Sequence, residues 1–244
     1  MTPTDAFLSL VIPAYNEESR LAAPIPGVIG FLNQAYRRWE IIFSDDGSTD
    51  STAMLIHRLQ EEYSGIRRVG VPRNRGKGSA VRQGLSAAAG DLILFSDADF
   101  SSPIEECLKL QAAVEGGSDI AIGSRGLLES KIEVRQSWAR ETMGKTFNLI
   151  LRSLLPITFN DTQCGFKMLR REAAAIVLPR LRVDRFAFDV EMLVIAQRHG
   201  LRIAEVPVVW RNALDSKVHP IRSSLEMLDD VFAIRRRLAK NLYD

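Results

Sequence analysis

The sequence predicts an α/β fold, a mostly parallel central sheet flanked by helices. Three observations carry this. Short apolar runs alternate with helical patterns through the first half of the chain, as in βαβ units. Several of those runs are continuously apolar, which fits strands buried on both faces. Polar residues gather directly after each run, at the strand ends where parallel sheets bind ligands.

Leu8 to Tyr15 (LSLVIPAY) is the first predicted strand, and Glu17 to about Arg37 is mainly helical, loosened by Pro24, Pro26 and Gly27. Trp39 to Asp46 (WEIIFSDD) is the second strand, and Ser48 precedes a helix to about Tyr63. Ile66 to Val71 is the third strand, Gly78 to Ala89 a helix, and Asp91 to Ser96 the fourth strand. A helix follows from Pro103 to Glu115, then a fifth strand from Asp119 to Ser124. Beyond it the pattern changes. Leu127 to Arg135 reads as a charged loop, Ser137 to Leu155 as a helix and Gly165 to Leu169 as a short strand. A helix from Asp189 to His199, a strand from Arg202 to Trp210 and an amphipathic helix from about Ile221 to Leu242 complete the chain. No linker rich in Pro, Gly or Ser interrupts it. The expectation is one domain over residues 1–244 with two functional halves, divided at about residue 125.

At 244 residues, 46% hydrophobic and 25% charged, the composition is that of an ordinary folded protein. The net charge of +2 provides no drive toward nucleic acid. Cys107 and Cys164 make no framework and are expected as two buried thiols of a reducing compartment. The first residues, MTPTDAF, lack the pattern of a signal peptide. No run approaches the roughly 20 apolar residues of a bilayer span; the stretch Phe147 to Phe159 is interrupted by Arg152 and Pro156.

The strand ends hold the chemistry. Asp97 and Asp99, in DLILFSDADFSSP, put two carboxylates one residue apart. Like charges so close disfavour joint ionisation unless a positive charge lies between them. One reading is a site for Mg²⁺ or Mn²⁺, hard cations that bridge carboxylates and substrate phosphates; the other is a cap for the helix beginning near Pro103. The Arg75-Gly-Lys-Gly turn opens a helix, either as an anion site at its N-terminus or as a basic turn. Asp45-Asp46-Gly-Ser-Thr-Asp is a ligand-binding loop or a capped turn.

Together, LSLVIPAYNEE, DDGSTD, NRGKGSA and DAD are ordered and spaced as in the family 2 glycosyltransferases of GT-A fold, which the chain resembles. A second set looks most like the dolichyl-phosphate β-glucosyltransferases, relatives of the dolichyl-phosphate mannose synthases. It comprises GSR ending at Arg125, DTQCGFK (Asp161 to Lys167), RFAFDVEML (Arg185 to Leu193) and VPVVW (Val206 to Trp210). The resemblance implies a Rossmann-like GT-A nucleotide-diphospho-sugar transferase fold over nearly the whole chain. It further implies transfer of a hexose, glucose from UDP-glucose, to a polyprenyl phosphate, with inversion and with Mg²⁺ or Mn²⁺. GDP-mannose is the second donor choice, and a sugar hydroxyl the alternative acceptor.

By motif, Pro13 and Tyr15 would flank the base, Glu17 would lie near the ribose, and Asp45 or Asp46 would accept from the base N–H. Lys77 would support the diphosphate. Asp97 would approach ribose and metal, Asp99 would be the main metal ligand, and Ala98 would lie against the nucleotide. Arg125, Arg135, Arg140 or Lys145 would hold the acceptor phosphate by charge-assisted bonds. Gln163 would contact metal or donor sugar. Asp189 is read as a general base, a holder of sugar hydroxyls or a helix cap, and Glu191 as a substrate ligand. The final helix, with Arg235 to Arg237 and Lys240, lies on a membrane surface or packs on the domain. The expected localisation is cytoplasmic, peripheral on a membrane.

Overall fold

The structure, a computed structural model, describes residues 3–134, 138–212 and 220–244. The first half runs β1 (Thr4–Ala14), α1 (Glu18–Leu21), α2 (Ile25–Ala35), β2 (Tyr36–Asp45), α3 (Thr52–Glu62), β3 (Ile66–Gly70), α4 (Lys77–Ala87) and β4 (Leu92–Ser96). Then come α5 (Cys107–Glu115), β5 (Ile120–Ser124), β6 (Lys131–Val134), α6 (Trp138–Leu154), β7 (Phe166–Arg170) and α7 (Arg171–Val177). The last elements are α8 (Phe188–Arg198), β8 (Ile203–Pro207), β9 (Val209–Arg211) and α9 (Pro220–Ala239).

Seven strands form one sheet in the order β3-β2-β1-β4-β7-β5-β8. The chain lays β1, β2 and β3 outward in one direction, then returns to set β4 on the other side of β1, parallel to it. The strand order reverses between β1 and β4, so a crevice opens beyond their carboxyl ends. Both halves of the chain contribute strands to this sheet.

Strand side chains alternate between two cores. Val11, Ile93, Phe95 and Leu169 pack with Val81, Leu193 and Val231 on one face. Leu10, Ile12, Phe43, Leu94 and Met168 pack with Ile29, Leu32, Ile56 and Leu110 on the other. Burial on both faces explains why these strands read as continuous apolar runs.

The structure differs from the sequence reading in five elements. The helix expected from Glu17 to Arg37 breaks into α1 and α2 around Pro24, and the chain turns extended at Tyr36. Lys131–Val134, expected as loop, pairs with β9 in a separate two-stranded sheet. The strand expected from Arg202 to Trp210 is split between the two sheets, leaving the large one at Pro207, which has no N–H to donate. Strand β7 runs antiparallel to both β4 and β5 inside an otherwise parallel sheet, and α7 was not anticipated. The apolar stretch after Phe147 is largely core: Phe147, Leu151, Leu155 and Ile157 are buried. Helix α9 buries Met227, Val231 and Ile234 and leaves Leu225 and Phe232 exposed.

Candidate active site

A cavity of about 560 Å³ opens at the β1/β4 reversal. It is lined by Pro13, Tyr15, Glu17, Asp46, Lys77, Asp97, Ala98 and Asp99, so eight of the expected residues converge on one space. The loops after β1 and β2 brace each other at its rim. Ser48 Oγ accepts the Asn16 N–H at 3.0 Å, Thr52 Oγ1 accepts that of Glu17 at 2.8 Å, and Asn16 Oδ1 accepts that of Thr49 at 2.8 Å. The DDGSTD turn thereby positions Tyr15 and Glu17.

The two aspartates of that turn separate. Asp46 lines the cavity and accepts the backbone N–H of Arg75 at 3.0 Å and of Gly76 at 2.7 Å. Burial raises its pKa against the pull of those donors. Asp45 is turned away, buried, with Oδ2 on the Arg68 guanidinium and Oδ1 accepting the Ser48 N–H at 2.9 Å. The first two backbone donors of the Arg75-Gly-Lys-Gly turn are therefore spent inside the protein. Arg75 and Gly76 serve Asp46, and Ser79 N–H serves the Asp184 carbonyl at 3.0 Å. From the same turn, Lys77 adds a side-chain cation to the cavity lining.

Lys77 Nζ stands 2.7 Å from Asp97 Oδ1. The contact is an ion pair without hydrogen-bond alignment, and that buried oxygen has no hydrogen bond among the described residues. Asp99 Oδ1 accepts the Ser101 N–H at 2.9 Å. Neither aspartate caps a helix: the 3₁₀ turn before α5 starts after Pro103 with no side-chain cap bond. Two carboxylates on the cavity are the hard donors that a divalent cation takes up. Among the described residues no group of three or more His, Cys, Asp or Glu could hold a metal. The rest of a coordination shell would then come from ligand oxygens and water. The Asp97 carboxylate packs directly on Gly165, where an added Cβ would collide with it. That glycine belongs to DTQCGFK, and its carbonyl accepts the Asp97 N–H at 3.0 Å.

Of the second-half candidates, Arg125, Gln163, Asp189 and Glu191 are not among the residues lining this cavity. Arg125 is held by Asp161, with Nε–Oδ2 at 2.6 Å and Nη2–Oδ1 at 2.9 Å, and lies over Trp210 at 5.4 Å. Burial would raise the Asp161 pKa, but Arg125 overrides it and holds the carboxyl at about 2. Gln163 donates its backbone N–H to Asp161 Oδ1 at 3.1 Å and its side chain to Met227 Sδ at 3.6 Å. Arg135 lies outside the described residues; Arg140 and Lys145 fall on α6, their side chains outside what is described.

Asp189 sits inside the first turn of α8, whose N-cap is Ala187 with no side-chain cap bond, so the cap reading is corrected. It is buried and paired with Lys167, which is fully buried and also donates to the Cys164 carbonyl at 2.6 Å. Glu191 is corrected too. It lies about 200° around the helix from Asp189, does not line the cavity, and its carboxylate is spent on donors within the core. The sequence reading missed Arg20, Arg185, Phe186 and Glu226 on the cavity wall. Arg185 and Phe186 open the quoted RFAFDVEML, a usable signal; Glu226, on a distant helix, had none.

The family profile described as Glycosyl transferase family 2 matches residues 9–177. The dolichyl-phosphate beta-glucosyltransferase of Dictyostelium discoideum is 37% identical over 243 residues, covering 95% of this chain and 74% of that protein. The Homo sapiens protein of the same name is 36% identical over 243 residues, covering 94% of this chain and 75% of its own length. Among solved structures, glucosyl-3-phosphoglycerate synthase from Mycobacterium tuberculosis, in complex with Mn²⁺, UDP-glucose and phosphoglyceric acid, superposes with a TM-score of 0.69 at 20% identity. The superposition covers 94% of this chain and 80% of that one. With Asp97, Asp99 and Lys77 at the β1/β4 crevice, these findings agree on one assignment: the chain belongs to glycosyl transferase family 2 and has its GT-A fold.

Proposed function

We propose that this enzyme transfers glucose from UDP-glucose to a polyprenyl phosphate of the dolichyl type, with inversion and with a divalent cation, as one GT-A domain. The observation that carries the reading is the convergence of Asp97, Asp99 and Lys77 on the cavity that Tyr15, Glu17 and Asp46 also line. The names of the relatives supply the sugar and the lipid, and the solved neighbour carries Mn²⁺ and UDP-glucose on a like fold.

Asp97 and Asp99 would hold Mg²⁺ or Mn²⁺, which when bound offsets the negative charge that grows on a departing diphosphate. Lys77 adds an ammonium at the same place, kept charged by Asp97 and Asp189. Tyr15 and Pro13 flank the base, and Asp46 backs it from the β2 end. A polyprenyl monophosphate, with a second pKa of about 6, already carries its nucleophilic oxygen as an anion. It needs positioning in line with the anomeric carbon, not a base. That suits an Asp189 occupied by buried Lys167 better than it suits a hydroxyl acceptor. Arg125 and Arg140 remain the candidates for the acceptor phosphate.

The same reading sets the enzyme on the cytoplasmic face of a membrane. Among the described residues no helix is long and apolar enough to cross one. Exposed Phe232, next to Arg235 and Arg236 on α9, and Leu225 two turns before it form a surface suited to contact with anionic lipid. A donor-by-acceptor matrix tests the whole proposal: UDP-glucose and GDP-mannose against a short polyprenyl phosphate and a sugar acceptor, with Mg²⁺, Mn²⁺ or chelator. Glucosyl polyprenyl phosphate formed only from UDP-glucose and only with metal is the expected product. Exclusive use of GDP-mannose or of the sugar hydroxyl would overturn it.

A further inference from the structure

Glu191 is fully buried and takes four donors on its two oxygens. Oε2 accepts the backbone N–H of Arg182 at 2.8 Å and of Val183 at 2.7 Å. Oε1 accepts the Tyr243 hydroxyl at 2.6 Å and the Arg237 guanidinium at 3.2 Å. One oxygen thus holds the segment entering the cavity wall, and the other holds the chain at and beyond the end of α9. Tyr243 is itself buried, and its carbonyl accepts Arg180 Nε at 3.0 Å and lies 2.7 Å from His199 Nε2.

The segment that Glu191 holds has no regular structure between the 3₁₀ turn ending at Arg180 and the start of α8. Its buried N–H groups need side-chain partners. Just beyond them the Asp184 carboxylate joins Arg75 at 3.2 Å and Arg82 at 2.5 Å, and Arg185 and Phe186 reach the cavity. The segment also lies tight against the start of α4. A Cβ on Gly78 would come within 2.6 Å of the Val183 carbonyl and 2.7 Å of that of Arg185. Any slide of the segment therefore presses on the turn that carries Lys77.

We propose that Glu191 and Tyr243 are positioning residues of the donor cavity. Through the Glu191 carboxylate they hold the 182–186 segment in the register that presents Arg185 and Phe186 to the nucleotide and seats α4 behind Lys77. The proposal rests on the reading that this cavity takes a nucleoside diphosphate sugar; neither residue touches the ligand. Loss of the Tyr243 hydroxyl leaves a buried carboxylate one donor short; the carboxylate then turns toward Arg237, its remaining donor on that side, and its hold on the segment loosens.

The test uses the full chain with Mn²⁺ and UDP as probe. Tyr243→Phe and Glu191→Gln are compared with wild type for UDP affinity by calorimetry and for hydrogen exchange in peptides spanning residues 181–187. In Tyr243→Phe we expect UDP binding weakened about tenfold, faster exchange concentrated in that segment, and a melting transition lowered by only a few degrees. In an Arg185→Ala background the same substitution should cost little further affinity, because the group it presents is gone. Wild type that binds UDP together with variants that bind equally well overturns the positioning role and leaves the cavity reading intact. Wild type that fails to bind UDP overturns the cavity reading itself. A uniform rise in exchange over the whole chain, with the same affinity loss in both backgrounds, shows a merely structural contact and also overturns the proposal.

Discussion

Lys77 Nζ lies 2.7 Å from Asp97 Oδ1 and 5.6 Å from the centre of the Phe95 ring, so a single ammonium joins the start of α4 to the end of β4. Burial by itself lowers the Lys77 pKa; Asp97 and then Asp189 reverse this, and the net shift is upward. The charge is therefore retained at neutral pH. Lys77→Met should lower kcat/KM for sugar transfer by about 10²-fold, the scale of one preorganised donor in an excluded site. Lys77→Arg should recover part of it. Steady-state kinetics with saturating Mn²⁺ checks this, and unchanged kcat/KM in the methionine variant would remove Lys77 from the mechanism.

Gly165→Ala drives a methyl group into the Asp97 carboxylate. The affected side chain is one of the two offered to the cation, so Mn²⁺ affinity, read by electron paramagnetic resonance without nucleotide, should fall. The melting temperature should move far less than in a core truncation of a few kcal/mol.

Asp189→Asn should be a stability variant before it is a catalytic one. Removing the carboxylate of a buried ion pair leaves the Lys167 ammonium without a counter-charge, held only by the Cys164 carbonyl, at a cost of about 3–5 kcal/mol. The apolar double substitution Lys167→Met with Asp189→Leu should regain most of that stability in urea unfolding. A double variant as unstable as Asp189→Asn would show that the pair is not what matters.

Asp161 sets a pH window. Its folded carboxyl is held at about 2, below its ordinary 3.8, because Arg125 outweighs the effect of burial. A depressed carboxyl stabilises the fold above its unfolded pKa and loses that contribution as pH falls through the folded one. Roughly 2 kcal/mol should therefore disappear between about pH 4 and pH 2. Urea unfolding across that range should show the slope in wild type and a shallower one in Asp161→Asn.

The two-faced burial of strands such as VIPA and LILFS was legible because parallel strands sandwiched between helices must be apolar throughout. The site residues after β1, β2 and β4 were legible because such a sheet delivers its ligand groups at strand ends. Asp45 and Asp46 looked equivalent, yet one residue of strand pleat sends the first to Arg68 and the second to the cavity. The antiparallel setting of β7 also escaped the sequence, since strand direction leaves no local pattern. Asp189 and Glu191, both expected at the substrate, likewise turn to buried partners.

The sequence by itself determined the α/β class, the strand-end motifs and the family, because periodicity and local spacing are written residue by residue. Only the tertiary structure decided which carboxylates face the cavity and which are consumed by buried partners, Asp189 by Lys167 and Glu191 by Tyr243 and the 182–183 backbone. Those partners lie up to 52 positions away in the chain. A buried charge is assigned by whichever donor the packing brings to it, and that information is not local.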